Sequence, residues 1–303
     1  MDMRTTWIIV DEPAVAGLVE TARALGRPVA AVVVGPHSTV AVAAAAGVDR
    51  CVWLGEPEGV PAEAFALAVA DVVAAGSPGA VLAAPRPAAR AALGAVAARL
   101  GAPALAGVTA LTADGDATVL ERDVLGGIAR RTERCDGPVC AVVAAGGVPA
   151  AGDAVPVEEV TAAAMGVVVV ADRPATTPEV DLAGARRVVS IGRGVRALED
   201  VAIAQELADA LGGALACSRP VAEGSGFLPK DRYVGVSGRT LSPDLYLALG
   251  ISGQVQHTVG LRGSRTVVAV NTDPDAPIFR ECDYAVVGDL YEIAPALTAA
   301  LRS

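Results

Sequence analysis

The chain has 303 residues, 53% of them hydrophobic and 19% charged, with a net charge of −10. That length predicts two domains, because a single core stops growing below it, and the acid surplus excludes a basic nucleic-acid-binding face as the main working surface. The surplus sits in residues 1–184, with 12 basic and 21 acidic groups against 12 and 13 in residues 185–303, so the near-neutral second part can still hold a phosphate locally.

Met1 leads through "MDMRTT" straight into the strand-like "WIIV", without the basic region, longer apolar stretch and cleavage site of a secretory leader. "AVAAAAGV" and "GVVVVA" are interrupted by Gly, Asp or Arg well before the ~20 apolar residues a membrane span needs. A soluble, cytoplasmic chain without membrane insertion is expected. The five cysteines, Cys51, Cys135, Cys140, Cys217 and Cys282, form no C-x-x-C pair and stand near no histidine at zinc spacing, so they read as reduced thiols.

Strand-like "WIIV" is followed by a predicted helix around Val15–Leu25, a strand at Val29–Val34, a helix at Ser38–Ala46 and the strand "RCVWL". A helix near Ala62–Ala74, the strand Ala80–Ala84 and the helix Ala88–Leu100 continue the alternation. Apolar runs of this kind, without polar alternation, indicate parallel strands covered by helices on both faces. From Ala104 the runs "ALAGVTAL", "ATVLERDV", "GIARRTERC" and "VCAVVAA" are strand-like and separated by turn residues; they are expected to extend the first sheet. Segments bearing Gly and Pro at 147–156 and 173–178 then punctuate the chain. The boundary is placed at Leu182–Ala185, giving domains 1–183 and 184–303.

The second domain repeats the α/β pattern. Strands are expected at Val188–Ile191, Leu215–Cys217, Tyr233–Val236, "RTVVAVN" and "YAVVGDL", and helices at Ala197–Leu211, Asp244–Leu249 and Tyr291–Leu301. The fold class is therefore α/β, two domains, each a largely parallel, helix-flanked, Rossmann-like sheet.

Several strands of the second domain end in small or polar residues, at the edge where open parallel sheets bind ligands. "SIGRGVRALED" follows a strand and opens a helix, a geometry that favours an anion, and Arg193 stands between Gly192 and Gly194. Its third glycine is replaced by Ala197, so a nicotinamide fingerprint is incomplete and a purely structural turn is the alternative. Ser218 and Arg219 end the next strand; alone they would read as a cap and a solvated arginine. "YVGVSGRT" carries Ser237 in a Gly-x-Ser-Gly turn but lacks the G-x-S-x-G of a nucleophile elbow. "GISGQVQH" supplies Ser252, Gly253, Gln256 and His257, although a lone histidine is more often structural. Asn271 and Asp289 end the last two strands, each an ordinary turn or cap residue alone and together suited to adenine and ribose hydroxyls.

"VVSIGRG", "CSR", "VGVSGR", "SPDLYLALGISGQVQHTVG" and "VVAVNTDPDAPIFRECDYAVVGDL", in this order, resemble the alpha subunit of electron transfer flavoproteins. "AARAALGAVAARLGAPALAGVTAL" and "VLGGIARRTERCDGPVCAVVAAG" are similar to the family's weaker first-domain motifs. The resemblance implies an electron carrier without substrate turnover of its own, in which the C-terminal domain binds FAD. It also implies a heterodimer with a beta subunit, flavin-dependent dehydrogenases as donors, and a quinone oxidoreductase or other acceptor. By motif position the FAD contacts would be Arg193, Ser218, Arg219, Val234, Gly235, Val236, Ser237, Ser252, Gly253, Gln254, Val255, Gln256, His257, Asn271 and Asp289. Ser237 would face flavin N5, Arg219 and His257 would offset negative charge on a reduced ring, Arg193 and Ser252–Gln256 would hold the diphosphate, and Asn271 and Asp289 the adenosine end. Catalytic residues and metal ligands are not expected. Two positions depart from the family pattern: Val236 stands for its glutamine and Ile191 for a glycine, which implies an altered flavin potential or a specialised donor. A family member that binds FAD weakly and serves mainly as a partner-binding subunit, or a nicotinamide- or thiamine-type α/β enzyme, are the alternatives.

Overall fold

The structure, a computed structural model, describes residues 4–125, 129–172, 182 and 184–302. It divides into two compact units, Met1–Arg173 and Pro174–Ser303. The expected punctuation at 173–178, and Ala183 of the expected boundary, lie outside the described residues.

In the first unit the elements are β1 (Thr5–Val10), α1 (Ala16–Arg23), β2 (Val29–Val33), α2 (His37–Ala44), β3 (Arg50–Trp53), α3 (Ala66–Ala75), β4 (Pro78–Ala83), α4 (Pro87–Leu100) and β5 (Ala104–Leu105). They continue with β6 (Val108–Asp114), β7 (Ala117–Val124), β8 (Ala129–Cys135), β9 (Val139–Val142) and β10 (Val157–Glu159). Seven strands pair in parallel in the order β10-β3-β2-β1-β4-β9-β5. The apolar run of β1 has a direct cause in its two-sided burial. Ile8 and Val10 pack with Leu18 of α1 and Val40 of α2, while Trp7 and Ile9 pack on the other face with Val69 of α3 and Val96 of α4. Because successive side chains alternate faces and both faces are dry, the run from Trp7 to Val10 has no polar position. Where β1 and β4 end, Asp11 Oδ1 accepts from Arg86 Nε at 2.8 Å and from a terminal guanidinium nitrogen at 2.6 Å, so an ion pair bridges that sheet edge.

The expectation that the strands after Ala104 extend this sheet holds only for β5 and β9. Strands β6, β7 and β8 form their own antiparallel sheet. Only Gly115 and Asp116 separate β6 from β7, and Gly115 has φ +61°. Such a two-residue turn forces a hairpin, whereas a parallel neighbour needs a long crossover. Leu111 and Leu120 join the core on one face, with the half-buried Arg122–Glu133 pair at 2.9 Å beside them, and the other face carries exposed charges such as the Arg130–Asp123 pair at 3.3 Å. Arg27 ties the hairpin to the approach to β2, donating to Thr118 Oγ1 at 3.1 Å and to the Ala117 carbonyl at 3.0 Å.

The second unit contains β11 (Arg187–Ile191), α5 (Val201–Ala210), β12 (Ala214–Ser218), β13 (Tyr233–Val234), β14 (Leu245–Leu249), α6 (Val255–Thr258), β15 (Val267–Asn271), β16 (Tyr284–Val287) and α7 (Leu290–Arg302). Its six strands are parallel in the order β13-β12-β11-β14-β15-β16. Counted within the unit this is 3-2-1-4-5-6, the doubly wound order, with its direction reversing between β11 and β14.

Residues Asp244–Leu249, expected as a helix, are corrected to the strand β14, bonded on one side to β11 and on the other to β15. Pro243 and Gly250 confine the apolar run to a length natural for a strand and short for a helix. Leu247 and Leu249 face α5 and α7, and Tyr246 and Ala248 face the opposite layer with Leu241, Ile251 and Ile278. The first helix of the unit begins at Val201 and not at Ala197, because the Asp200 carboxylate turns back to accept from Ala197 N at 3.1 Å. Cys51, Cys140 and Cys217 are buried and free, with burial pushing their thiols up to about 11, about 12 and about 12, consistent with inert core residues. Among the described residues no helix is long and apolar enough to cross a membrane, and no cluster of His, Cys, Asp or Glu could hold a metal ion.

Candidate functional site

All six strands of the second sheet deliver their C-terminal ends to one cleft of about 690 Å³. This is the size of a site for a cofactor-sized molecule, and it lies across the reversal of strand order. The turn after β11 brings Gly192, Arg193 and Gly194; β12 brings Ser218 and Arg219; β13 brings Gly235, Val236 and Ser237. Strand β14 leads into Gly250–Gly253, β15 into Asn271 and Asp273, and β16 into Gly288 and Asp289.

The floor is built from backbone at close approach. Gly192 N donates to the Leu249 carbonyl at 2.8 Å and Gly194 N to the Gly250 carbonyl at 3.1 Å. Gly250 has φ +62°, and a Cβ there would overlap the Gly194 Cα and the Leu290 side chain. The two loops that flank the reversal therefore touch through glycines, which leaves an open groove above them. Val236 N donates to the Gln256 carbonyl at 2.8 Å, fixing the Gly235–Ser237 turn against α6.

Of the fifteen residues expected at the site, Arg193, Ser218, Arg219, Val234, Gly235, Val236, Ser237, Ser252, Gly253, Gln254, Gln256, His257, Asn271 and Asp289 line the cleft. Val255 does not; it is exposed at the start of α6. Arg219 Nε bonds Glu223 Oε2 at 2.5 Å, which raises the guanidinium's pKa, and Lys230 Nζ lies 3.9 Å from the same carboxylate. Both partners reach solvent, so the pair is weak and the arginine can turn to a ligand. Asn271 Nδ2 donates to the Ile251 carbonyl at 2.9 Å and its Oδ1 accepts from Asp273 N at 3.0 Å. Asp289 Oδ1 accepts from Tyr291 N at 2.9 Å, serving the start of α7. These two residues shape turns with part of their polar groups and turn the remainder to the cleft.

His257 differs from its expected role. The ring is buried at 7% exposure, with Nδ1 3.0 Å from the Val234 carbonyl and Nε2 3.0 Å from the Tyr246 hydroxyl. Burial, opposed by the Val234 carbonyl, lowers its pKa to about 4. Both nitrogens are engaged inside the protein and the ring is neutral at pH 7, so this histidine brings the cleft no positive charge.

Arg196 also lines the cleft, and the sequence reading passed over it. Its guanidinium lies 5.1 Å from the centre of the Tyr291 ring, within cation–π range. Tyr291 is itself fixed: its hydroxyl accepts from Arg196 N at 2.8 Å and donates to Asp200 Oδ2 at 2.6 Å. Among the described residues neither Arg193 nor Arg196 is in an ion pair. The spacing Arg193–Arg196 in "GRGVRALED" was the available signal; Tyr291 and Asp200 are remote in sequence and left none. Two uncompensated guanidiniums beside a glycine floor fit the diphosphate of a dinucleotide, and the exposed hydroxyl-bearing turn at Ser237 fits the polar edge of a heteroaromatic ring.

Comparison with known proteins gives a consistent result. Residues 10–176 match the profile of the electron transfer flavoprotein domain, and residues 181–262 that of the electron transfer flavoprotein FAD-binding domain. The chain is 38% identical over 312 residues to protein FixB of Salmonella typhimurium and of Salmonella typhi, covering 98% of each chain. It is 45% identical over 195 residues to protein FixB of Escherichia coli (strain K12 / DH10B), covering 62% of each.

Proposed function

This chain belongs to the electron transfer flavoprotein alpha subunit family, with FAD as its cofactor, and we propose that it carries electrons from flavin-dependent dehydrogenases to a quinone oxidoreductase or other acceptor, paired with a beta subunit. FAD supplies the redox chemistry, taking up and releasing electrons at its isoalloxazine ring. The chain's own residues bind that group, orient it and set the charge around it. Arg193 and Arg196 neutralise the diphosphate, because two guanidiniums without carboxylate partners lose little on meeting an anion. Asn271 and Asp289 offer their remaining polar groups to the adenosine end. Ser237 offers its hydroxyl, and Arg219 a positive charge, to the ring edge, where negative charge grows on reduction.

The observation that carries this reading is the convergence of six strand ends on one cleft at the reversal of strand order, lined there by Arg193, Arg196 and Arg219. His257 has its two nitrogens bonded to Tyr246 and Val234, so it does not act as a base for Ser237, and the electron-carrier reading follows from the family. Co-expression with a beta partner should give a yellow heterodimer holding about one FAD in the alpha chain that survives gel filtration. A colourless, correctly assembled heterodimer that takes up no added FAD would overturn the assignment and leave the chain a partner-binding subunit.

A further inference from the structure

Tyr246 was not among the residues expected at the site. It occupies the middle of β14, fully buried, on the sheet face opposite Leu247 and Leu249. Its hydroxyl is 3.0 Å from His257 Nε2, while His257 Nδ1 is 3.0 Å from the Val234 carbonyl. These two bonds determine the tautomer. A carbonyl oxygen only accepts, so Nδ1 carries the proton; a neutral imidazole protonated there has a lone pair at Nε2, and the Tyr246 O–H donates to it.

The surroundings keep both rings uncharged. Burial pushes the Tyr246 hydroxyl well above its ordinary pKa and pushes His257 down. The titratable neighbours from the adjoining strands are Ser190 of β11 and Cys217 of β12, both neutral; from β13 only the Val234 carbonyl bonds His257. The buried Ser190 hydroxyl lies against Tyr246 and, opposing the larger effect of burial, lowers the phenol's pKa as a donor to its oxygen does, so it does not compete for the Tyr246 proton.

We propose that Tyr246 is a positioning residue that closes Nε2 of His257 and holds this imidazole as an uncharged wall of the cleft, leaving positive charge at the cofactor to the arginines. The statement about the cofactor rests on the assignment of the cleft to FAD, while the tautomer is a property of the chain alone. The arrangement has a direct consequence for the bound group: the charge it meets does not change through histidine protonation between about pH 5 and 8.

The chain has two histidines, His37 and His257, which makes imidazole ¹⁵N resonances a direct test. The full chain, labelled with ¹⁵N-histidine, is measured alone and assembled with an unlabelled beta partner, and a His37→Gln variant assigns the signals. His257 should show a protonated Nδ1 and an unprotonated Nε2 from pH 8 to 5, with or without FAD. In Tyr246→Phe the neutral form loses its bond at Nε2, so the titration midpoint should rise by about one pH unit, and the flavin potential should gain an added pH dependence below neutrality. Substituting 3-fluorotyrosine, a more acidic donor, should shift the Nε2 resonance without altering the fold, which keeps the test open if Tyr246→Phe does not fold. An Nε2-protonated or charged His257 in the unmodified chain, or a tautomer and titration indifferent to both changes at Tyr246, overturns the proposal. A colourless heterodimer that still shows the expected tautomer would instead count against the FAD assignment.

Discussion

His257 illustrates how burial decides the role of a residue whose identity suggested another. An imidazole near a flavin-binding turn invites the role of a cation, but taking a charge out of water without a carboxylate partner is unfavourable, and the pKa of about 4 expresses that cost. The consequence for stability follows from proton linkage. The unfolded chain binds a proton at His257 as the pH falls through about 6.5, and the folded chain does so only near 4, so folding weakens across that interval. Wild type should therefore lose roughly 3 kcal/mol more than a His257→Gln variant between pH 7 and pH 4. Urea denaturation at the two pH values measures this; equal losses would mean that the ring is protonated or exposed in the folded state. Val236 is the other informative residue. Its side chain is 51% exposed at the cleft, an apolar group where the expected family pattern has an amide, and it cannot hydrogen-bond the ring.

At the scale of elements, the turn after β14 is the most constrained part of the cleft. Gly250 combines φ +62° with contact to Gly194 and Leu290. Gly250→Ala places a Cβ in both a disfavoured backbone conformation and occupied space, and should destabilise the chain by roughly 1–3 kcal/mol while loosening FAD retention. Chemical denaturation and flavin release by ultrafiltration read the two effects; unchanged values for both would show that the β11 and β14 loops separate without cost. β14 itself was misread from sequence, and the reason is physical. Leucines at 245, 247 and 249 with Tyr246 and Ala248 between them satisfy a buried helix as well as a two-sided strand, and only pairing with β11 and β15 decides between them. That error also hid Tyr246, which acquires a role only when the strand lays its ring under α6. The strands β6 to β8 were legible as strands but not as a separate sheet, since membership depends on the two-residue turn at Gly115–Asp116.

On the scale of the whole molecule, the sequence conveyed the α/β class of both units because uninterrupted apolar strands have no other stable setting than a sheet covered on both faces. It conveyed the site residues at the strand ends but not how their polar groups are divided, since Asn271 and Asp289 bond their own turns and the second cation, Arg196, depends on a tyrosine from α7. The FAD assignment makes a prediction that spans the chain. Hydrogen exchange on the FAD-loaded and FAD-stripped heterodimer should show added protection at the turns after β11, β12, β13 and β14, with β1 to β4 unchanged; protection centred on the first unit would place the alpha chain's cofactor elsewhere. The division into two units has a further practical meaning. Both tryptophans, Trp7 and Trp53, belong to the first unit, and all four tyrosines, Tyr233, Tyr246, Tyr284 and Tyr291, belong to the second. Indole emission, excited at the red edge where phenols do not absorb, therefore acts as a built-in optical reporter of the first unit alone, and unfolding of that unit can be followed without an added dye.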